Sequence, residues 1–248
     1  ANSLKGKLGP ITSSYLSEAL DKGADSFGWD TYLKMPGKRN GTKVIGIGVG
    51  TAYHGAGNKG FDGLVRIMPD GKVAIHTGVG NLGTYSYAGC SRAAAEALNV
   101  AWEDCELVWG STERKLPWSV YQAGSATTFT STRQAWAGAM DAKTKLQEIA
   151  AKDLGGAPGD YELKDGTVVG NGKSMTFAQA AKRAIELGGK YDGHEAPDDI
   201  NPITAHAVKG LVGTGLVGVA KDNMEKKGTV AGLVTGFAAV EVDTETGK

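Results

Sequence analysis

Residues 64–76, LVRIMPDGKVAIH, constrain the fold more than any other stretch. Two alternating runs, Leu64–Met68 and Lys72–His76, meet at Pro69-Asp70-Gly71. Proline pre-sets one turn dihedral and glycine takes positive φ without a Cβ penalty, so the runs are expected to be antiparallel hairpin strands. The alternation predicts one wet face, with His76 exposed on it. Next comes TGVGNLGTYSYAG (77–89), containing Gly78-x-Gly80-x-x-Gly83, and then a helical pattern over about 88–98. That glycine spacing suits a dinucleotide-binding turn, which also needs an acid about 20 residues on, at the end of the following strand. Glu103 and Asp104 have the distance, but they precede the strand expected at Cys105–Trp109. A half-wet hairpin strand also differs from the doubly buried strand of a parallel sheet. An NAD(P)-dependent dehydrogenase is therefore the lesser reading of this turn.

Other segments fill in a mixed pattern. A helix is expected over 14–22, capped by Ser13 or Ser14 and ended by Gly23. Pro36–Thr42 is a polar connector before a strand, KVIGIGVGTAY. A long helix is expected from Gln134 to Leu154, with Ser131-x-x-Gln134 as a capping box and Gly155-Gly156 as its stop. Two short strands flank Asp165-Gly166, and Thr176-x-x-Gln179 caps a helix ending at Gly188-Gly189. Positions 190–203 read as loop, 206–220 as a small, apolar, glycine-rich stretch, and Leu233–Val242 as a strand. Strands and helices mix without strict alternation, which points to an α+β domain with mixed or antiparallel sheets packed against helices.

Composition narrows the function classes. Lys+Arg and Asp+Glu are 27 each, so no net field draws nucleic acid or an anionic membrane. No apolar stretch approaches the ~20 residues of a membrane span. Cys90 and Cys105 have no ligand spacing, so neither a zinc site nor an iron–sulfur cluster is expected within this chain. Glycine, at 38 of 248 residues, is the outlier, implying tight turns or close backbone approaches. The chain starts Ala-Asn-Ser and ends Val-Asp-Thr-Glu-Thr-Gly-Lys, like the middle of a hairpin, and is expected to be part of something longer. Among the histidines, His54 is the one in a glycine-rich loop; His76, His194 and His206 read as structural or solvated. Trp118 and Tyr121 are candidates to line a substrate channel, and 221–227 reads as a solvated turn.

A second loop, QAGSATTFTST (122–132), leads into the long helix, and its hydroxyls and N–H groups would suit phosphate. With that loop in place, the order of segments resembles the molybdenum-cofactor-binding large subunit of the xanthine dehydrogenase/aldehyde oxidase family. The resemblance is carried by GADSFGW, KVIGIGVGTAYHGAG, VRIMPDGKVAIHTGVGNLGTYSYAGCSRAAAEALNV, GSATTFTSTRQAWAGA, YELKDGTVVGNGKSMTFAQAAKRA and GFAAVEVDTETGK, in the family's order over nearly the whole chain.

The resemblance implies the second molybdopterin-binding half of such a subunit, with residues 1–40 a connecting helix and linker and 41–248 the cofactor domain. The cofactor it implies is a molybdenum pyranopterin, often extended to the cytosine dinucleotide. The family's glycine–glutamine–glycine turn falls on Gly83, Thr84 and Tyr85. Its Ser/Thr loop falls on Gly124, Ser125, Thr127 and Thr128. Thr84 stands where the family has Gln and Tyr85 where it has Gly, which suggests a divergent branch. The family reaction is oxidation of a small organic substrate with water as oxygen source. The catalytic Glu is expected outside this chain, as are the other half of the subunit and the iron–sulfur and flavin partners. A non-catalytic assembly fragment is the remaining alternative.

Overall fold

A computed structural model describes residues 11–12 and 15–248, so the cap expected at Ser13 or Ser14 lies outside the described residues. In chain order the elements are α1 (Leu16–Phe27), α2 (Trp29–Tyr32), β1 (Arg39–Asn40), β2 (Lys43–Ala56), β3 (Asp62–Ile67), β4 (Val73–His76), α3 (Ser86–Leu98), β5 (Glu106–Val108) and α4 (Thr127–Leu154). Then follow β6 (Glu162–Lys164), β7 (Thr167–Gly170), β8 (Lys173–Thr176), α5 (Phe177–Leu187), α6 (Pro202–Lys209), β9 (Leu216–Lys221) and β10 (Val230–Asp243). This is the expected α+β mixture. No helix among the described residues is long and apolar enough to cross a membrane. By contacts the chain forms two units: Gly57–Glu225, and a discontinuous one joining residues up to Ala56 with Lys226–Lys248.

In the discontinuous unit β2 and β10 pair antiparallel over their whole length, from Lys43↔Asp243 to Ala56↔Val230. β1 adds a short third strand. α1 does not stop at Gly23 as expected but runs on to Phe27, where Gly28 takes the left-handed C-cap (φ 76°). Gly23 has a different purpose: a Cβ there would overlap the Phe237 ring, so the glycine lets α1 lie against β10. Phe237 also stacks with Phe27, at 5.7 Å between centroids.

The unit Gly57–Glu225 is built on a four-stranded sheet ordered β5-β4-β3-β9. β3 and β4 form the expected hairpin across Pro69-Asp70-Gly71. β4 also pairs parallel with β5, through the α3 crossover. All four residues of β4 are buried, so the exposed face expected for it, and for His76, is absent. The reason is that both faces of the sheet are covered. Val65, Ile67, Val73 and Ile75 pack with Leu98, Leu146 and Ile149 on one side. Leu64, Val217 and Val219 pack with Val208 and Leu211 on the other. Burying each such side chain contributes roughly 1.5–3 kcal/mol.

α4 crosses β3 and β9 in backbone contact. A Cβ on Gly63 would overlap the Gln134 carbonyl oxygen, one on Gly138 would sit 2.7 Å from the Gly63 carbonyl carbon, and one on Gly218 would sit 2.6 Å from the Gly138 carbonyl oxygen. Gly63, Gly138 and Gly218 thus serve helix-on-sheet contact, while twenty other described glycines have positive φ. The helix starts at Thr127, not Gln134: Ser131 and Gln134 are inside it, both buried, and neither caps it. A three-stranded sheet, β6-β7-β8, replaces the two strands expected, because Asn171-Gly172 (φ 53° and 69°) makes a second tight turn. Thr176 and Gln179 do form the expected capping box on α5. The glycine-rich stretch 206–220 resolves into the end of α6 and most of β9.

Candidate functional site

The two loops singled out in the sequence lie side by side. The Gly78 N–H donates to Ser119 Oγ at 3.0 Å. A Cβ on Gly78 would be 2.6 Å from the Pro117 carbonyl oxygen, and one on Gly80 would be 3.4 Å from Gln122 Oε1. Below them Cys90 Sγ lies 3.8 Å from the Thr128 carbonyl oxygen, where α3 packs on α4. The first glycine of GxGxxG therefore admits the Pro117–Ser119 segment, and Gly80 lies beside Gln122 of the second loop.

Gly83, Thr84 and Tyr85 form an exposed bend shaped by Asn81, a residue the sequence reading passed over. Asn81 Oδ1 accepts from the N–H groups of Gly83 at 2.9 Å and Tyr85 at 3.2 Å, an Asx-type turn. Gly83 has φ 85° and nothing within 4 Å of a Cβ position, so its surroundings are open. Thr84 Oγ1 bonds Ser86 Oγ at 2.8 Å. Tyr85 is left-handed (φ 53°), a conformation that favours glycine, and its side chain is 64% exposed.

In the second loop Gly124 (φ 59°) and Ser125 (φ 54°) are left-handed and exposed, directly before α4. The Ser125 carbonyl accepts from Gly57 N–H at 3.2 Å. Thr127 and Thr128 are the first two residues of the helix, with Thr128 exposed. Thr130 is buried and holds Asn58, accepting from its N–H at 2.9 Å and donating to its carbonyl at 3.0 Å. The run 221–227 is more than a solvated turn: buried Asp222 clamps Arg133 at 2.7 and 2.9 Å. Trp118 and Tyr121 are both exposed, and Trp118 stacks with Phe61 at 6.1 Å. His54 lies on β2 in the other unit, exposed on a strand and not in a loop.

His76 closes the base of the glycine turn. Its Nδ1 lies 2.8 Å from the Lys115 carbonyl oxygen, which only accepts, so Nδ1 carries the proton and Nε2 is a bare acceptor. Burial drives its pKa down to about 4, with a smaller push from Arg66, against the raising effect of the Lys115 carbonyl. The unfolded chain, near 6.5, binds a proton that the folded one refuses between those values. Stability is thus full above about pH 6.5 and declines as pH falls toward 4, by about 3 kcal/mol in all. His76→Asn, which can still donate to Lys115, is expected to flatten the change in urea midpoint between pH 7.5 and 4.5; an unchanged slope would assign it to other groups. The thiols are quiet by comparison: burial raises Cys90, and burial with Asp104 and Glu103 raises Cys105 to about 11.

The parallel β4–α3–β5 unit brings the glycine turn closer to a dinucleotide crossover than the sequence suggested. The acid is still misplaced: Glu103 and Asp104 stand in a 3₁₀ turn before β5, and Trp109-Gly110-Ser111 follows it. The residues present do fit a phosphate-bearing pterin ligand. They offer open left-handed backbone at Gly83 and Gly124 and an exposed hydroxyl at Thr128 on the N-terminus of a long helix. Among the described residues no three His, Cys, Asp or Glu side chains gather as metal ligands.

Comparison with known proteins identifies the family. The family model of the molybdopterin cofactor-binding domain matches residues 22–248. The aldehyde oxidoreductase molybdenum-binding subunit PaoC of Escherichia coli K12 is 30% identical over 181 residues, 70% of this chain and 24% of that protein. The probable hypoxanthine oxidase XdhD of the same strain is 27% identical over 175 residues, 69% of this chain and 18% of that protein. The chain thus spans about a quarter or less of these relatives' length. In fold it is similar to Cu,Mo-CO dehydrogenase (TM-score 0.59, 19% identity, 98% of this chain and 31% of that one). It is also similar to quinoline 2-oxidoreductase from Pseudomonas putida 86 (TM-score 0.56, 20% identity, 99% and 31%). The family model covers most of the chain, which belongs to the molybdopterin cofactor-binding domain family, within the xanthine dehydrogenase/aldehyde oxidase group.

Proposed function

We propose that this chain holds part of a molybdenum pyranopterin, as its cytosine dinucleotide, in an enzyme that oxidises a small organic substrate. In this reading Gly83, Thr84 and Tyr85 lie against the pterin, and Gly124, Ser125, Thr127 and Thr128 bind the dinucleotide end. The observation that supports it is the approach of the glycine turn to the segment leading into the second loop, where the Gly78 N–H donates to Ser119 Oγ and Gly80 lies beside Gln122. The left-handed Tyr85 supports this reading, because φ 53° is a conformation that glycine adopts without strain. Bound there, the cofactor supplies two-electron oxidation with water as oxygen source. The chain's own part is to orient it: backbone N–H groups and hydroxyls take the polar edge, and the helix N-terminus favours phosphate. The catalytic Glu, the other half of the subunit and the iron–sulfur and flavin partners belong to the remainder of the enzyme. Residues 1–40 act as its connector and 41–248 as the cofactor domain.

Thr128→Val tests the assignment in the assembled enzyme. Losing one hydroxyl from a charged ligand costs roughly 1.5–3 kcal/mol, so cofactor should escape at least about tenfold faster on dialysis, read as molybdenum and cytidine nucleotide per chain. Wild-type enzyme carrying neither molybdenum nor nucleotide would overturn the proposal. Retention unchanged in Thr128→Val would remove that loop from the site.

A further inference from the structure

Beneath the two loops lies a small cavity of about 10 Å³, lined by residues that include Ile75, His76, Cys90, Ser131 and Gln134. Three polar atoms of its lining residues are buried with no protein partner among the described residues: His76 Nε2, Ser131 Oγ and Gln134 Oε1. Each of these residues is at most 5% exposed. One unpaired buried polar atom costs about 1–3 kcal/mol, so three around one cavity require an explanation.

The roles of the atoms are fixed by their other bonds. His76 Nδ1 faces the Lys115 carbonyl and holds the proton, which leaves Nε2 an acceptor. Gln134 Nε2 donates to the carbonyls of Asp62 at 2.9 Å and Trp118 at 3.1 Å. Flipping the amide would set oxygen against two carbonyl oxygens, so Oε1 is the group left over. The cavity thus presents two acceptors and one hydroxyl. Its ligand must bring two donated protons and one accepting lone pair, in a space the size of a single solvent molecule.

We propose that one water molecule occupies this cavity, donating to His76 Nε2 and Gln134 Oε1 and accepting from the Ser131 hydroxyl. The water is a fixed part of the fold and does not depend on the cofactor assignment. Its position gives it a purpose. His76 ends β4 just before the glycine turn, Ser131 and Gln134 lie in the opening turns of α4, and Gln134 Nε2 also reaches Ser119 Oγ at 3.3 Å, the acceptor of the Gly78 N–H. The water thereby completes a hydrogen-bonded plug joining the bases of both loops.

A crystal structure of the assembled wild-type enzyme, at a resolution where ordered solvent is visible, tests this. The expected result is one spherical peak without anomalous signal, within about 2.6–3.2 Å of all three atoms, present in every copy. A dry cavity would overturn the proposal. So would a metal, seen as anomalous signal with ligand distances near 2 Å, or a His76 ring turned so that Nε2 meets a protein atom.

Discussion

Gly63→Ala is expected to destabilise this protein strongly for a single added methyl group. The new Cβ would overlap the Gln134 carbonyl oxygen and stand 2.7 Å from the Gly138 nitrogen. Both obstacles are backbone, so no side chain can swing aside, and α4 must lift from β3. Lifting it loosens the contacts of Leu146 and Ile149 with Val65 and Ile67. Overpacking usually costs about 1–3 kcal/mol, and a rigid obstacle places this case at or above the top of that range. Against a total stability of ~5–15 kcal/mol that is a large fraction. Gly89→Ala is the contrast: it lies in α3 with nothing within 4 Å of its Cβ, so alanine's better helix propensity should leave stability equal or raised by up to about 1 kcal/mol. Chemical denaturation of both variants checks the pair. Equal losses would mean that the close crossing of α4 over β3 is wrong.

Asp222→Ala is the second large effect. Asp222 is 1% exposed, and its carboxylate receives Arg133 Nε at 2.7 Å and Nη2 at 2.9 Å as well as the Met224 N–H at 3.1 Å. Arg133 further donates to the carbonyls of Met224 and Glu225 and lies 5.2 Å over the Phe129 ring. Removing the carboxylate strands a guanidinium that is largely out of water, which costs about 3–5 kcal/mol. A fall in melting temperature of roughly 10 °C follows for a domain of this size. The loss is local as well: Arg133 sits two turns into α4, so the Ser125–Thr128 loop should exchange amide hydrogens faster. Lys43–Glu241 gives the scale of an ordinary ion pair. At 2.6 Å its geometry is good, yet its side chains are 53% and 48% exposed, and Glu241→Gln should change stability by less than about 0.5 kcal/mol. Comparable losses in Asp222→Ala and Glu241→Gln would contradict the burial of the Asp222 clamp.

What was legible in the sequence was what local chemistry decides. Pro69-Asp70-Gly71, the Thr176–Gln179 capping box and the stop at Gly155 behave as their residue types require, whatever packs around them. Most of the differences share one cause, which is that a partner distant in sequence changes a residue's task. Gly23 reads as a helix stop until Phe237, over two hundred residues later, is seen to need its bare backbone. Ser131 and Gln134 read as a cap until Asp62 and Trp118 are seen to claim the glutamine amide. His76 reads as exposed because alternation along β4 says nothing of the second layer behind it. The Asn171-Gly172 turn is different, since its signal was present in the sequence and was overlooked. For the candidate site, the family order pointed to both loops, but the Asn81 turn that shapes the first and the approach of Ser119 and Gln122 to Gly78 and Gly80 are visible only in three dimensions.

The long pairing of β2 with β10 has a consequence for the order in which this protein can form. Strand β2 is synthesised about 170 residues before its partner, and everything from Gly57 to Glu225 is made in between. That intervening unit has its own sheet and core and can collapse while β10 is still in the ribosome, whereas β2 must wait, bearing Val49 and Tyr53 on an unpaired edge. The vulnerable moment in the life of this chain is therefore that interval. A chain cut short after residue 225 and released from the ribosome should give a folded middle with a β2 prone to pairing with another copy of itself.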